Sequence, residues 1–187
     1  AYMKKIIFML IAIFAVTLFN ISCDTTSSNK DANNSELHDN NSNLNNSNNK
    51  EEKILSLGLS FEGLKWDGVT IPDGEQCLKF DGDSPKSPAV IVTDIPSNAN
   101  IIVLEFSDAS YAYMDNGGHG KIGHKIEPGI STVTIPQVAG HSFDLPEGFI
   151  LIQEHKGETW DLSGAYMPPC SGGLNNLYYV TVKAEYI

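Results

Sequence analysis

The chain contains no arginine. All 12 of its basic side chains are lysine, set against 23 acidic ones for a formal net charge of −11 over 187 residues. That balance excludes a basic face able to neutralise nucleic-acid phosphates, so no nucleic-acid partner is expected. It also means that any bound anion must be held by Lys, His, Tyr or backbone N–H groups, without the bidentate fork that only guanidinium offers. Apolar runs are short as well. The main one, residues 6–19, has about the length of a signal-peptide core and falls short of the roughly 20 residues a membrane-spanning helix needs. No stretch sustains a helical period with caps, and cysteine is scarce, with three in all.

What is present at the start of the chain fixes a location. Met3-Lys4-Lys5, the apolar run and Asn20-Ile21-Ser22-Cys23 together read as a bacterial lipoprotein signal over residues 1–22, cleaved before a lipidated Cys23. Ser22 is the small residue such cleavage needs, although Asn20 stands where Leu is more usual. Residues 23–52 follow as an Asn- and Ser-rich stretch too poor in apolar side chains to bury a core. As a tether it would span on the order of 30 Å by flexible-chain statistics. The expected setting is the cell envelope, periplasmic or surface side, with the membrane reached through the lipid anchor. Residues 53–187 then form one domain. Cys77 and Cys170 remain as an even pair in an oxidising compartment, either bonded to each other or left as two small buried thiols.

The domain reads as all-β with few short helices, an antiparallel β-sandwich. Apolar runs at 54–61, 69–71, 89–95, 101–106, 131–138, 149–153 and 177–187 are separated by Gly, Pro, Asn and Asp clusters. Alternation along 100–108 puts Ile102, Leu104 and Phe106 on the core side, so Asp108 emerges on that side where the strand ends. In the last strand Val180, Val182 and Ala184 form the apolar face and Thr181, Lys183 and Glu185 the wet one. Continued backwards, the inner face reaches Tyr178 and Asn176. A carboxylate, an amide and a phenol at inner strand ends either line a polar pocket at one rim or cap their own turns.

Other motifs carry less. Gly118, Gly120 and Gly123 match a dinucleotide fingerprint by spacing, but Pro128, Gly129 and the β-branched run 132–135 follow where a helix must open, so no cofactor is expected. His119 and His124 stand five apart in a glycine-rich segment, which is not a recognised ligand spacing, and no metal is expected there. Ser163-Gly164 and Ser171-Gly172 lack the flanking glycines of a nucleophile elbow, and Glu154 and Glu158 read as solvated loop carboxylates.

The order of features resembles the phosphatidylethanolamine-binding protein family, which includes Raf kinase inhibitor protein. Ile71-Pro72, Cys77, Asp81-Gly82 and Ser87-Pro88 are similar to its early elements, and Ile95-Pro96 followed by 101–106 to its central strand. Asp108 keeps the leading acid of its D-P-D-x-P motif, and His119, eleven residues on, falls where the family has its pocket histidine. Gly164 to Gly173 resembles the G-Y-x-G-P-C-P-P-x-G loop, and Asn176-Leu177-Tyr178 falls on H-R-Y. The resemblance implies a pocket for phosphate-like or carboxylate groups, formed by Asp108, His119, Pro169, Asn176 and Tyr178. In it His119 donates to the ligand, Asp108 orients that ring and raises its pKa, and Asn176, Tyr178 and loop amides near Pro169 complete the cradle. Asn176 and Leu177 replace the second histidine and the arginine of the family pattern, which weakens phosphate binding. The expectation is a non-catalytic lipoprotein that binds a small polar or anionic ligand. An interaction or inhibitor module facing another envelope protein, and a hydrolase acting through Asp108 or His119, are the alternatives.

Overall fold

A computed structural model describes the strand Tyr2–Phe8 and residues 56–187. Cys23 and the tether lie outside the described residues, as does the signal beyond Phe8. The described residues form eight strands: β1 (Tyr2–Phe8), β2 (Gly58–Phe61), β3 (Val90–Thr93), β4 (Ile101–Asp108), β5 (Lys121–Lys125), β6 (Thr132–Ile135), β7 (Phe149–Gln153) and β8 (Tyr178–Glu185). One turn of 3-10 helix, Leu78–Phe80, is the only helical element among them. No helix among the described residues is long and apolar enough to cross a membrane.

The strands make two antiparallel sheets, one ordered β1-β8-β4-β5-β7 and a smaller one ordered β2-β3-β6. Both contribute to one core. Val90, Val92 and Ile135 from the small sheet meet Ile102, Leu104, Phe106, Ile122, Val180, Val182 and Ala184 from the large one. The protein is therefore an all-β sandwich, and the inner face of β4 and β8 is the one their alternation predicts. Each fully buried Val, Leu or Ile in it contributes about 1.5–3 kcal/mol over an exposed position.

Three expectations need correction. The run 69–71 is not a strand, because the Asp67 carboxylate accepts from the N–H groups of Val69 and Thr70 at 2.8 and 2.7 Å and closes a turn there. Lys121–Lys125, read as part of a glycine-rich loop, is a strand between β4 and β7. Its signature is masked by Gly123, where the Ile101 side chain fills the space a Cβ would take. The outer face of β8 is not wet throughout, since Thr181 and Tyr179 are buried. The segment after β4 folds back over that face: Asp115 accepts from the Tyr179 hydroxyl, and Gly117 N–H donates to Ser107 Oγ at 2.8 Å.

Candidate functional site

Strand register places the first two residues. β4 and β8 run antiparallel with Asp108 opposite Tyr178, so the acid and the phenol leave the sheet side by side at the core-facing rim. The chain then turns through 109–118 and re-enters beside β4, with His119 N–H donating to the Phe106 carbonyl at 3.0 Å. This brings the His119 ring edge-on to Tyr178, with centroids 5.4 Å apart. The loop 164–173 supplies the remaining wall. Gly120 lets it come close: with φ at +113°, a Cβ there would stand 2.1 Å from the Ala165 carbonyl oxygen.

The acid, imidazole and phenol picked out from the sequence thus converge, although His119 lies on a different segment from the strand pair. Trp66, Pro88, Phe106, Ser107, Tyr166, Met167, Pro169 and Tyr179 complete the lining of a hollow of about 20 Å³ around His119 and Tyr178, and Asp108 is not part of that lining. A space that size accepts one water-sized group. It adjoins an open cleft of about 650 Å³ that shares Pro169 and Tyr178 with it and carries Asn176, Asp73 and Asp81 on its walls. Pro169 and Tyr178 are therefore the threshold between a narrow tip and a wide mouth.

The hydrogen bonds correct the roles expected of these groups. His119 Nδ1 lies 2.8 Å from the Met167 carbonyl, which can only accept, so the ring carries its proton on Nδ1 and leaves Nε2 as an acceptor. Burial pushes the His119 pKa down to about 4, outweighing the upward pulls of the Met167 bond and of Asp108. Asp108 does pull the pKa up as expected, but desolvation outweighs the neighbouring carboxylate, and the imidazole is neutral. His119 is not the cationic donor that an anion would need.

Asn176 Nδ2 donates to Asp108 Oδ2 at 2.6 Å, and Ser110 N–H donates to Asp108 Oδ1 at 2.8 Å. The amide expected to reach a ligand therefore satisfies the acid instead. The loop amide nearest Pro169, that of Cys170, donates to Tyr178 Oη at 3.0 Å. The phenol keeps its own hydrogen for donation, and burial raises its pKa, with Asp108 adding to the effect while Ser171 and Cys170 bonds oppose it. As built, the hollow sets the His119 Nε2 acceptor beside the Tyr178 hydroxyl, and Trp66, Ser107, Tyr166 and Tyr179 add further polar side chains to its lining. No local pattern points to Met167, whose backbone oxygen decides the tautomer. Ser110 did carry a signal, since a serine two residues after an aspartate is a common turn partner.

A disulfide joins Cys77 to Cys170 behind the loop, with Cα atoms 5.2 Å apart. Cys77 N–H also donates to the Pro169 carbonyl at 2.9 Å, so the loop is pinned on both sides. Glu154 and Glu158 are not part of the hollow's lining, and His124 packs on Phe149 with ring centroids 4.6 Å apart. Compared with protein-family models, curated proteins and solved structures, the chain finds no match.

Proposed function

We propose that the domain binds a small polar ligand without turning it over, the ligand's tip entering the hollow between His119 and Tyr178 and its body lying in the cleft beyond Pro169. The observation that carries this reading is the neutral His119, with its Nε2 acceptor beside the Tyr178 donor at the end of an open cleft. A site that sets the His119 acceptor beside the Tyr178 hydroxyl, with no arginine in the chain and acidic cleft walls, suits a hydroxyl or an ammonium better than a phosphate. The resemblance to phosphatidylethanolamine-binding proteins supports a head-group-like ligand, and the charges favour the amine or polyol portion over the anionic one. Catalysis is not part of the reading. Cys170 is committed to the disulfide, and Ser107, the serine in the hollow's lining, accepts at Oγ from Gly117 N–H at 2.8 Å.

In the same reading the domain hangs from a membrane through lipid on Cys23. Cleavage before Cys23 would take β1 away and leave β8 as an edge, and Lys183 and Glu185 are the charged side chains that keep such an edge from pairing indiscriminately. A second reading, a module that meets another envelope protein, is favoured by one observation. Tyr111, Tyr113 and Trp160 are 50, 50 and 41% exposed and stand together with ring centroids 5.9 to 6.5 Å apart.

Titration of the domain with ethanolamine, glycerol and inorganic phosphate, followed through the His119 and Tyr178 ring resonances, tests the pocket. Ethanolamine or glycerol at millimolar concentration is expected to move both resonances, and phosphate to move neither. If all three leave them in place, the ligand reading is lost; if phosphate alone acts, the charge argument is.

A further inference from the structure

On the far side of loop 164–173, Asp161 stands against the disulfide and His141 stands against Asp161. The donor atoms of Cys77, Cys170 and Asp161 all lie within 4.8 Å of one another, and His141 Nδ1 stands 3.5 Å from Asp161 Oδ2. The acid and the imidazole are deeply enclosed, with side chains 5 and 3% exposed. Yet Asp161 has no ordinary donor. Among the described residues its side-chain contacts are His141 and, at 3.9 Å, the Cys170 sulfur, which carries no hydrogen while it is bonded to Cys77. His141 itself is loosely held, with Leu78 N–H 3.4 Å from Nε2 and the Leu162 carbonyl 3.4 Å from Nδ1, both long for hydrogen bonds. A carboxylate enclosed this far with only such long contacts is weakly held, and it lies within 4.8 Å of both sulfurs.

From this geometry we infer a redox-gated site for a thiophilic divalent cation, zinc being the natural occupant. In the oxidised protein the sulfurs are bonded to each other and cannot ligate. A two-electron reductant of the dithiol class breaks the S–S bond, becomes a disulfide itself and leaves two thiols. Zinc then displaces one proton from each thiol, forms two Zn–S bonds, and takes Asp161 as its third ligand and His141 Nδ1 as its fourth, the ring's proton passing from Nδ1 to Nε2 as the long contacts to Leu162 and Leu78 are given up. Ligands at tetrahedral Zn–S, Zn–O and Zn–N distances stand roughly 3–4 Å apart; the sulfurs and Asp161 already lie within 4.8 Å of one another, and His141, 3.5 Å from Asp161, must swing toward the sulfurs to complete the set. The ion supplies the charge that Asp161 lacks. Cys170 is half-buried, and its neighbours Pro169 and Ser171 line the open cleft, which gives the reductant a route in. This site is independent of the ligand reading of the hollow, since none of its four side chains lines that space.

The test uses the full chain carrying Cys23→Ser, which removes the one other cysteine. The protein is reduced with a phosphine, which does not compete for metal as a dithiol would, and titrated with Co²⁺ as a spectroscopic substitute for zinc. The reduced chain is expected to take up one Co²⁺ with thiolate-to-metal charge transfer and tetrahedral d–d bands, and the oxidised chain none. Asp161→Asn and His141→Gln are each expected to weaken binding at least tenfold while the charge-transfer band persists. Should reduction loosen the fold, added Zn²⁺ is expected to restore its circular-dichroism spectrum. The inference is overturned by a reduced chain that shows no thiolate-to-cobalt band, by variants that bind as tightly as the parent, or by a reduced chain that stays unfolded with Zn²⁺ present.

Discussion

The two faces of loop 164–173 solve the same problem in opposite ways. On one face His119, Tyr178 and Asp108 are buried polar groups, and each has a hydrogen-bond partner at 2.6 to 3.0 Å. On the other, the side chains of His141 and Asp161 are enclosed beside a disulfide, with contacts of 3.4 Å or more. A hydrogen bond in an enclosed site fixes tautomer and orientation, which is what selective recognition of a small ligand requires. Loose contacts leave side chains free to regroup around something else. The first face is built for one state, and the second is held by a covalent bond whose removal makes another state available.

The strongest way to break the contrast is to remove that bond. Cys77→Ser with Cys170→Ser opens a loop closed across 93 residues, and is expected to cost about 2–5 kcal/mol in urea unfolding. A much smaller loss would mean that the hydrogen bonds of the first face already pin the loop.

Acid probes the first face. His119 has a folded-state pKa near 4 against an ordinary 6.5, so as pH falls the unfolded chain takes up the proton before the folded one does. Stability is fully present above about pH 6.5 and is lost as pH drops toward about 4, by about 3 kcal/mol from this residue. The charged and titratable groups around the ring are Asp108, Asp161, His155 and the phenols of Tyr166 and Tyr178, and burial also lowers the pKa of His155 and His124, which adds in the same direction. Chemical unfolding at a series of pH values reads the slope, and a flat profile across that window contradicts the assignment.

A finer cut is Asn176→Leu, which leaves Asp108 Oδ2 without its donor and is expected to cost about 1–3 kcal/mol by the same assay. It also separates the roles of the two groups, because a merely exposed turn asparagine would cost almost nothing. The smallest effect is expected away from both faces. Tyr111→Ser, in the exposed aromatic trio, should change stability by less than about 1 kcal/mol, and a pull-down that loses an envelope partner with this variant would assign the trio to protein contact.

The sequence was readable where structure is set by near neighbours. β7 matches its apolar run from Phe149 to Gln153, and alternation put Asp108 and Tyr178 on the inner face before any pairing was known. β5 escaped because Lys-Ile-Gly-His-Lys has one large apolar residue, and its burial comes from β4 and β7 on either side. The charge state of His119 escaped for a similar reason. It depends on a carbonyl 48 residues away and on enclosure by segments that no local pattern connects. The grouping of His141 and Asp161 with the two cysteines is likewise a product of the folded loop, drawn from four separate stretches of chain. Local chemistry named the residues of the first face, and long-range packing decided what they do.

The neutral His119 is the centre of this account, and the ring's own nitrogen shifts test it most directly. Long-range ¹H–¹⁵N correlation spectra are expected to show protonated Nδ1 and bare Nε2, unchanged as the solution is taken from about pH 8 to about pH 5. A titration with its midpoint at or above the ordinary histidine value, or a proton found on Nε2 instead, would contradict it.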